Sequence, residues 1–362
     1  MNKETRLPAE WEPQSFVQLT WPHKQTDWLP YLDEINTVYV EMACAITKYE
    51  RLLVVCPDAN EVKKRLFPIL SEEQKGRVVF HLCPSNDTWA RDHGFITLNN
   101  GHLLDFRFNG WGEKFAADKD NAINGSLFQA YGVLKGEKNR SDSNENGRGA
   151  NLFGGYDKYE NHLDFVLEGG SIESDGQGTV FTTTGCLLAP HRNQPLTQQE
   201  IENELKKRLC AERVLWIDHG HLAGDDTDGH IDTLVRLAPN DTLLYVGCDD
   251  EDDEHFADLK AMESQLRTFR TKSGAPYHLL RLPMPDAVYA GGERLPATYA
   301  NFLIINGAVI IPAVQQPEKD KEATEIIRQA FPDREMILIN SLPIVRQHGS
   351  IHCCTMQFPI IK

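Results

Sequence analysis

No part of this sequence approaches the roughly 20 consecutive apolar residues needed for a membrane-spanning helix, so a role within a membrane is not expected. None of the eight cysteines forms a C-x-x-C pair, and six stand alone in apolar segments, which argues against a zinc ribbon and a disulfide framework. Basic residues are in short supply, with 37 Lys and Arg against 53 Asp and Glu, a formal net charge of −16. Such a balance disfavours nucleic acid and anionic lipid as partners and favours small cations. Met1 to Glu12 is polar and lacks the basic, apolar and cleavable regions of a leader. Together with single, reduced cysteines, this gives a cytoplasmic expectation.

What is present fits a folded α/β chain. Short β-rich apolar runs recur at 51–56, 78–83, 103–108, 241–246 and 302–305, each flanked by turn residues. Between them lie segments of helical period at 58–70, 197–211, 254–270 and 321–331, the second opening on a Thr197/Glu200 capping-box spacing. The acidic run Asp249 to Glu254 reads as a solvated helix cap. The polar stretch Lys135 to Gly149 reads as a surface loop, and whether it covers a pocket is left open.

The chemistry-bearing residues are spread along the chain. Near its end stands Gly349-Ser350-Ile351-His352-Cys353-Cys354-Thr355. On a strand, neighbouring cysteines face opposite ways, so one of the pair at most shares a given pocket, and the period alone does not say which. A catalytic thiol needs a cation or base to favour its thiolate. His230 and Asp232 sit two apart in a segment, Gly229 to Leu237, that reads as a strand, so both would face one cavity. The histidine suits proton transfer and the carboxylate suits a cation.

Trp89-Ala90-Arg91-Asp92 supplies a carboxylate matched to a guanidinium, with an Arg91–Asp92 surface pair as the plainer alternative. Glu168 closes an apolar run before Gly169-Gly170, where backbone can approach a ligand closely. The segment Asp218 to Asp228 is rich in His and Asp, but an EF-hand would begin on Gly224, so calcium binding of that kind fails and a transition-metal site remains the rival there. The motifs fall near residues 90, 110, 168, 230, 300 and 353, which argues for one site built from successive similar units.

In order and along nearly the whole chain, these motifs resemble the guanidino-group-modifying superfamily, the penteins, and within it the agmatine deiminase and bacterial-type peptidyl-arginine deiminase branch. The resemblance rests on Trp11-Glu-Pro-Gln14, Leu19-Thr-Trp-Pro22, Trp89-Ala-Arg-Asp92, Phe108-Asn-Gly-Trp-Gly112, Glu168-Gly-Gly-Ser171, Asp226-Thr-Asp-Gly-His-Ile-Asp232, Tyr299-Ala-Asn-Phe302 and His352-Cys-Cys-Thr355. It implies a single catalytic domain over 1–362, folded as a fivefold β/α propeller of ββαβ-type units around a central active site. It also implies guanidine hydrolysis through a covalent amidino-cysteine, without metal or organic cofactor.

Carried over by motif, Cys353 is the nucleophile, His230 the proton-transfer residue, Asp92 and Asp232 the guanidinium clamps, and Glu168 the accompanying carboxylate. Asp226 matches a further acidic pocket position, and Trp89 and Trp111 would wall the cavity. The partner expected is a small guanidino cation, agmatine ahead of peptidyl or free arginine. An amidinotransferase is the rival of another class. Oligomeric state stays open.

Overall fold

Runs such as Arg51–Cys56 and Thr242–Gly247 are apolar at nearly every position rather than alternating, the pattern of strands covered on both faces. A computed structural model, which describes residues 5–132, 152–156 and 158–361, makes them central strands of small mixed sheets. The stretch Lys135 to Gly149 lies outside the described residues. Among the described residues, all of the sheets except the small hairpin Val288–Ala290/Glu293–Leu295 follow one rule. A short first strand pairs antiparallel with a second, and the second pairs parallel with a third reached through a helix-bearing crossover, as a parallel neighbour demands.

Five such units occur among the described residues. Ile96–Thr97, His102–Arg107 and Lys158–Val166 form one. Ile172–Ser174, Thr179–Thr183 and Arg213–Ile217 form the next. Val235–Ala238, Thr242–Gly247 and His278–Pro283 follow, then Leu303–Ile305, Ala308–Ala313 and Glu335–Asn340. The fifth joins the two ends of the chain. Thr355–Pro359 pairs antiparallel with Gln14–Thr20, which runs parallel to Arg51–Cys56 and through it to Val78–Leu82. This is the fivefold repeat of the pentein fold.

The chain divides into two compact units, one of residues 1–6, 12–169 and 354–362, the other of residues 7–11 and 170–353. The first has a core of aromatic rings, in which Phe16 stacks on its cross-strand partner Phe358 at 4.2 Å. The second is mostly aliphatic, with Leu234, Val246, Ile304 and Ile311 fully buried beside rings such as Phe181, Tyr299 and Phe302. No helix among the described residues is long and apolar enough to cross a membrane.

Helices start where their caps allow. Gln198–Arg208 opens on the expected capping box, with Thr197 and Glu200 each bonding the other's backbone. Asp118–Tyr131 has no local cap. Its first turn is satisfied by a remote residue, Asn86 Oδ1, which accepts from the backbone N–H groups of Lys119 and Asp120. The acidic run before Phe256–Leu266 is ion-paired rather than merely solvated, Asp249 with Arg281 and Asp253 with Arg294, both at 2.7 Å.

Candidate active site

Each candidate motif stands immediately before the first strand of a repeat. Trp89 to Asp92 precedes Ile96–Thr97, Glu168 precedes Ile172–Ser174, His230 and Asp232 precede Val235–Ala238, Asn301 precedes Leu303–Ile305, and Cys353 precedes Thr355–Pro359. The scatter of motifs in sequence is thus the period of the fold, and each unit delivers its polar residue at the same topological place.

In the second unit, Cys353 is buried in a turn at residues 351–354, not on a strand. Its sulfur lies 3.3 Å from Asn301 Oδ1 and 3.8 Å from Asp232 Oδ2. Asn301 Oδ1 also accepts from the backbone N–H of His352 at 3.0 Å and of Cys353 at 3.3 Å, so one amide holds the turn that presents the thiol. Its Nδ2 donates to the Asp232 carbonyl at 3.3 Å, which ties the third repeat to the same point.

Asp232 is fully buried. One oxygen, Oδ2, takes a hydrogen bond from His352 Nδ1 at 2.7 Å, while Oδ1 makes none among the described residues. Burial alone would raise its pKa. The His352 hydrogen bond and charge, together with His230 and Arg236, outweigh burial and hold it below the usual carboxylate range. A buried, ionised carboxylate with an open oxygen is a receptor for a cationic N–H donor.

The strand expected over Gly229 to Leu237 begins only at Val235. Gly229 has φ +93°, Asp225 accepts from the Thr227 and Gly229 N–H groups, and Ile231–Thr233 forms a 3₁₀ turn. His230 and Asp232 are therefore presented by a tight turn rather than by the pleat of a strand, with His230 close enough to act on Asp232. The carboxylates of the 218–228 segment serve as loop scaffolding. Asp228 pairs with the buried Arg192 at 2.6 Å, and Asp225 caps the turn. Asp226 is half-exposed, 3.9 Å from His348.

In the first unit, Asp92 is buried in the short helix Ala90–His93 and accepts from the Trp111 indole N–H at 3.0 Å. Arg91 and Asp92 are both buried, so the expected surface arrangement of the two is not what the fold uses. Arg91 is buried and donates to Gln357, with Met356 Sδ at 3.6 Å. Trp111 reaches Asp92 from a left-handed backbone conformation, φ +55°, between Gly110 and Gly112 that are also left-handed. Such a conformation in a bulky residue is costly and persists where surroundings enforce it. Trp89 packs edge-on to Trp111 at 6.3 Å.

The same short helix is pinned behind. Thr20 Oγ1 bonds His93 Nε2 at 3.2 Å, and Asn124 Nδ2 donates to the His93 carbonyl at 2.9 Å. The Leu19-Thr-Trp-Pro22 motif is thereby explained as a support. Glu168 is fully buried. Gly169 approaches the Arg91 carbonyl so closely that an added Cβ would lie 2.2 Å from it, so this glycine answers protein backbone rather than a ligand. That approach sets the Glu168 and Asp92 segments side by side.

Sequence reasoning left two residues without a role. Asn301 was visible in its motif, but its function depends on three backbone partners from other repeats. Glu10 carried no local signal beyond preceding Trp11.

Against known proteins, residues 6–359 match the model of the Porphyromonas-type peptidyl-arginine deiminase family. The chain is 31% identical to an agmatine deiminase of Stutzerimonas stutzeri, across 98% of this chain and 95% of that one. A solved putative arginine deiminase from Porphyromonas gingivalis is 48% identical, covers 98% of each chain and has a TM-score of 0.87. An agmatine deiminase from C. jejuni, solved with substrate bound, is 33% identical over 99% of this chain and 97% of that one, with a TM-score of 0.84.

Proposed function

We propose, from the premise that the chain belongs to the Porphyromonas-type peptidyl-arginine deiminase family, that it hydrolyses agmatine to N-carbamoylputrescine and ammonia. The observation that carries the reading is the buried Asp232, with one oxygen open and the other 3.8 Å from the Cys353 sulfur. A carboxylate in that position takes a guanidinium N–H and turns the planar cation's carbon toward sulfur.

A thiol among the oxygens of Asp232 and Asn301 is favoured as a donor. An arriving guanidinium reverses the balance, since its positive charge favours thiolate. The Cys353 thiolate forms a C–S bond to the guanidinium carbon, and a C–N bond breaks. His230 gives the departing nitrogen its proton, and ammonia leaves an S-bound amidino group. His230 then takes a proton from water, the oxygen adds to the same carbon, and the C–S bond breaks to release the ureido product and thiolate. Atoms balance as agmatine plus water giving N-carbamoylputrescine plus ammonia.

Asp92 as second guanidinium acceptor, Glu168 as support of the proton transfers and Asp226 as an outer acidic position rest on the sequence motifs. Trp111 donates to the Asp92 carboxylate and packs edge-on to Trp89, and the role of the two rings as walls against water rests on the motifs as well. The whole chain, 1–362, is taken as the functional unit, and a cytoplasmic setting fits its small soluble amine substrate. Agmatine is preferred over arginine because the protein's charge of −16 suits a dication. The 48% identity to a putative arginine deiminase favours arginine as the second reading.

Ammonia release from agmatine, free arginine and an end-blocked arginine peptide decides between them. Agmatine is expected to give the highest kcat/KM by about tenfold or more, with activity retained in EDTA. A peptide rate equal to the agmatine rate overturns the specificity, and loss of activity in EDTA overturns the metal-free mechanism.

A further inference from the structure

Behind Asp232 the second unit holds a line of buried charge that the reaction steps above do not use. His352 is fully buried between two carboxylates, with Nδ1 2.7 Å from Asp232 Oδ2 and Nε2 2.8 and 3.0 Å from the two oxygens of Glu10. Glu10 in turn accepts from Arg236 Nη2 at 2.6 Å. Arg236, itself fully buried, donates through Nε to Glu173 and through Nη1 to the carbonyls of Ala300 and Phe302, and lies over the Phe302 ring at 4.6 Å. Glu10, Glu173 and His352 bring ligand-type atoms within 4.8 Å of one another, but the Arg236 guanidinium already occupies the cation's place between the two glutamates.

A neutral imidazole offers one N–H and one lone pair. Both His352 nitrogens face carboxylate oxygens at hydrogen-bond distance, and a lone pair turned on an ionised carboxylate would be repelled. The ring is satisfied only when both nitrogens carry protons. The charged groups around it are Asp232, Glu10, Glu173 and Arg236, with His230 close enough to act on Asp232. Three acids stand against His352 and Arg236, with burial pushing Glu173 up to about 7, and Asp232 Oδ1 is left to take a substrate guanidinium.

We propose that Glu10 is a positioning residue for Asp232, holding His352 as an imidazolium whose Nδ1–H fixes Oδ2 and leaves Oδ1 aimed at the substrate guanidinium. The part concerning substrate rests on the deiminase reading above, whereas the protonation of His352 does not.

Nitrogen-15 histidine NMR of the intact protein, titrated from about pH 6 to about pH 9, tests the second part without any variant. One ring is expected to keep both N–H protons after ordinary histidines have become neutral, and His352→Gln identifies it by removing the signal. Glu10→Gln is expected to convert that ring to a neutral tautomer. It should also lower kcat/KM for agmatine by about tenfold or more and move the acid limb of the profile to higher pH, because Asp232 loses part of its cationic support. Glu173→Gln is the control. It removes another Arg236 partner while its own hydrogen bonds go to Arg236 and the Leu237 N–H, so it should leave the acid limb in place whatever its effect on melting. A neutral His352 ring in the unaltered protein, an unchanged ring in Glu10→Gln, or equal limb shifts in the two glutamine variants each overturn the proposal. Should the unaltered protein fail to turn over agmatine, the functional reading falls, and the NMR still decides the proton on His352.

Discussion

Two adjacent thiols differ here by environment alone. Cys353 lies among Asn301 and Asp232, while Cys354 is fully buried in the first unit, where burial pushes it up to about 12. At neutral pH Cys354 stays a thiol and is no nucleophile. Cys353→Ala is expected to abolish ammonia release, whereas Cys354→Ala keeps turnover within about threefold and lowers stability by about 1 kcal/mol through lost packing. Loss of activity in Cys354→Ala alone would place the nucleophile one residue later. At this scale the sequence carried residue types well. Cys353, His230 and Asp232 stood out as candidates because few other residues perform nucleophilic, proton-transfer and cation-binding chemistry. Glu10 and Asn301 did not, because a lone glutamate or asparagine acquires a role only from partners dozens to hundreds of positions away.

Elements explain how those residues are held. Helix Asp118–Tyr131 and the segment leading to Trp89 cap each other, since Asn86 Oδ1 serves the helix while Asp120 Oδ1 accepts from the backbone N–H groups of Asn86 and Asp87. This is a capping box assembled across more than thirty residues, invisible to a pattern search that reads three positions ahead. Burial raises Asp120 to about 7, with Asp87 and Asp118 adding repulsion against the hydrogen bonds that lower it. An acid whose folded-state value is raised binds its proton more tightly in the folded chain. Folding stability from this group is therefore fully present below about pH 4 and falls as pH rises towards about 7. Asp120→Asn keeps the accepting oxygen and removes the buried charge. Thermal melts should show the variant gaining more over the unaltered protein at about pH 8 than at about pH 4.5. An equal difference at both values would show that Asp120 is not the titrating group.

The same scale shows where periodicity misleads. Alternating polar and apolar residues at 229–237 read as a strand, but Gly229 at φ +93° and the Asp225 turn start a 3₁₀ turn first. Local hydrogen bonds from Asp and Thr compete with ladder formation. The Thr197/Glu200 box was readable because both halves lie within one turn.

For the molecule as a whole, the charge of −16 sets the electrostatic surroundings of any cationic substrate. If that field assists capture, the KM for agmatine should rise about threefold between about 20 mM and about 500 mM salt, as screening shortens to a few ångströms, with kcat nearly constant. A salt-independent KM would confine the attraction to the buried carboxylates. The five ββαβ repeats account for the spacing of the motifs, yet no internal sequence similarity announces them. Each repeat keeps strand order and the place of its polar residue while its core differs, richer in aromatic rings in the first unit than in the second.

By itself the sequence determined the class of chemistry: a tail-end thiol, a histidine and several carboxylates in motif order, on a chain whose acidity disfavours nucleic acid, with strands and crossover helices placed by apolar period. Tertiary structure alone decided which atoms are open and which are spent. It buried Arg91 against Gln357 and Asp92 against Trp111, gave Asp232 one bonded oxygen and one without a partner among the described residues, and set His352 between two acids. Those outcomes depend on distance and desolvation, which a one-dimensional order of residues does not contain.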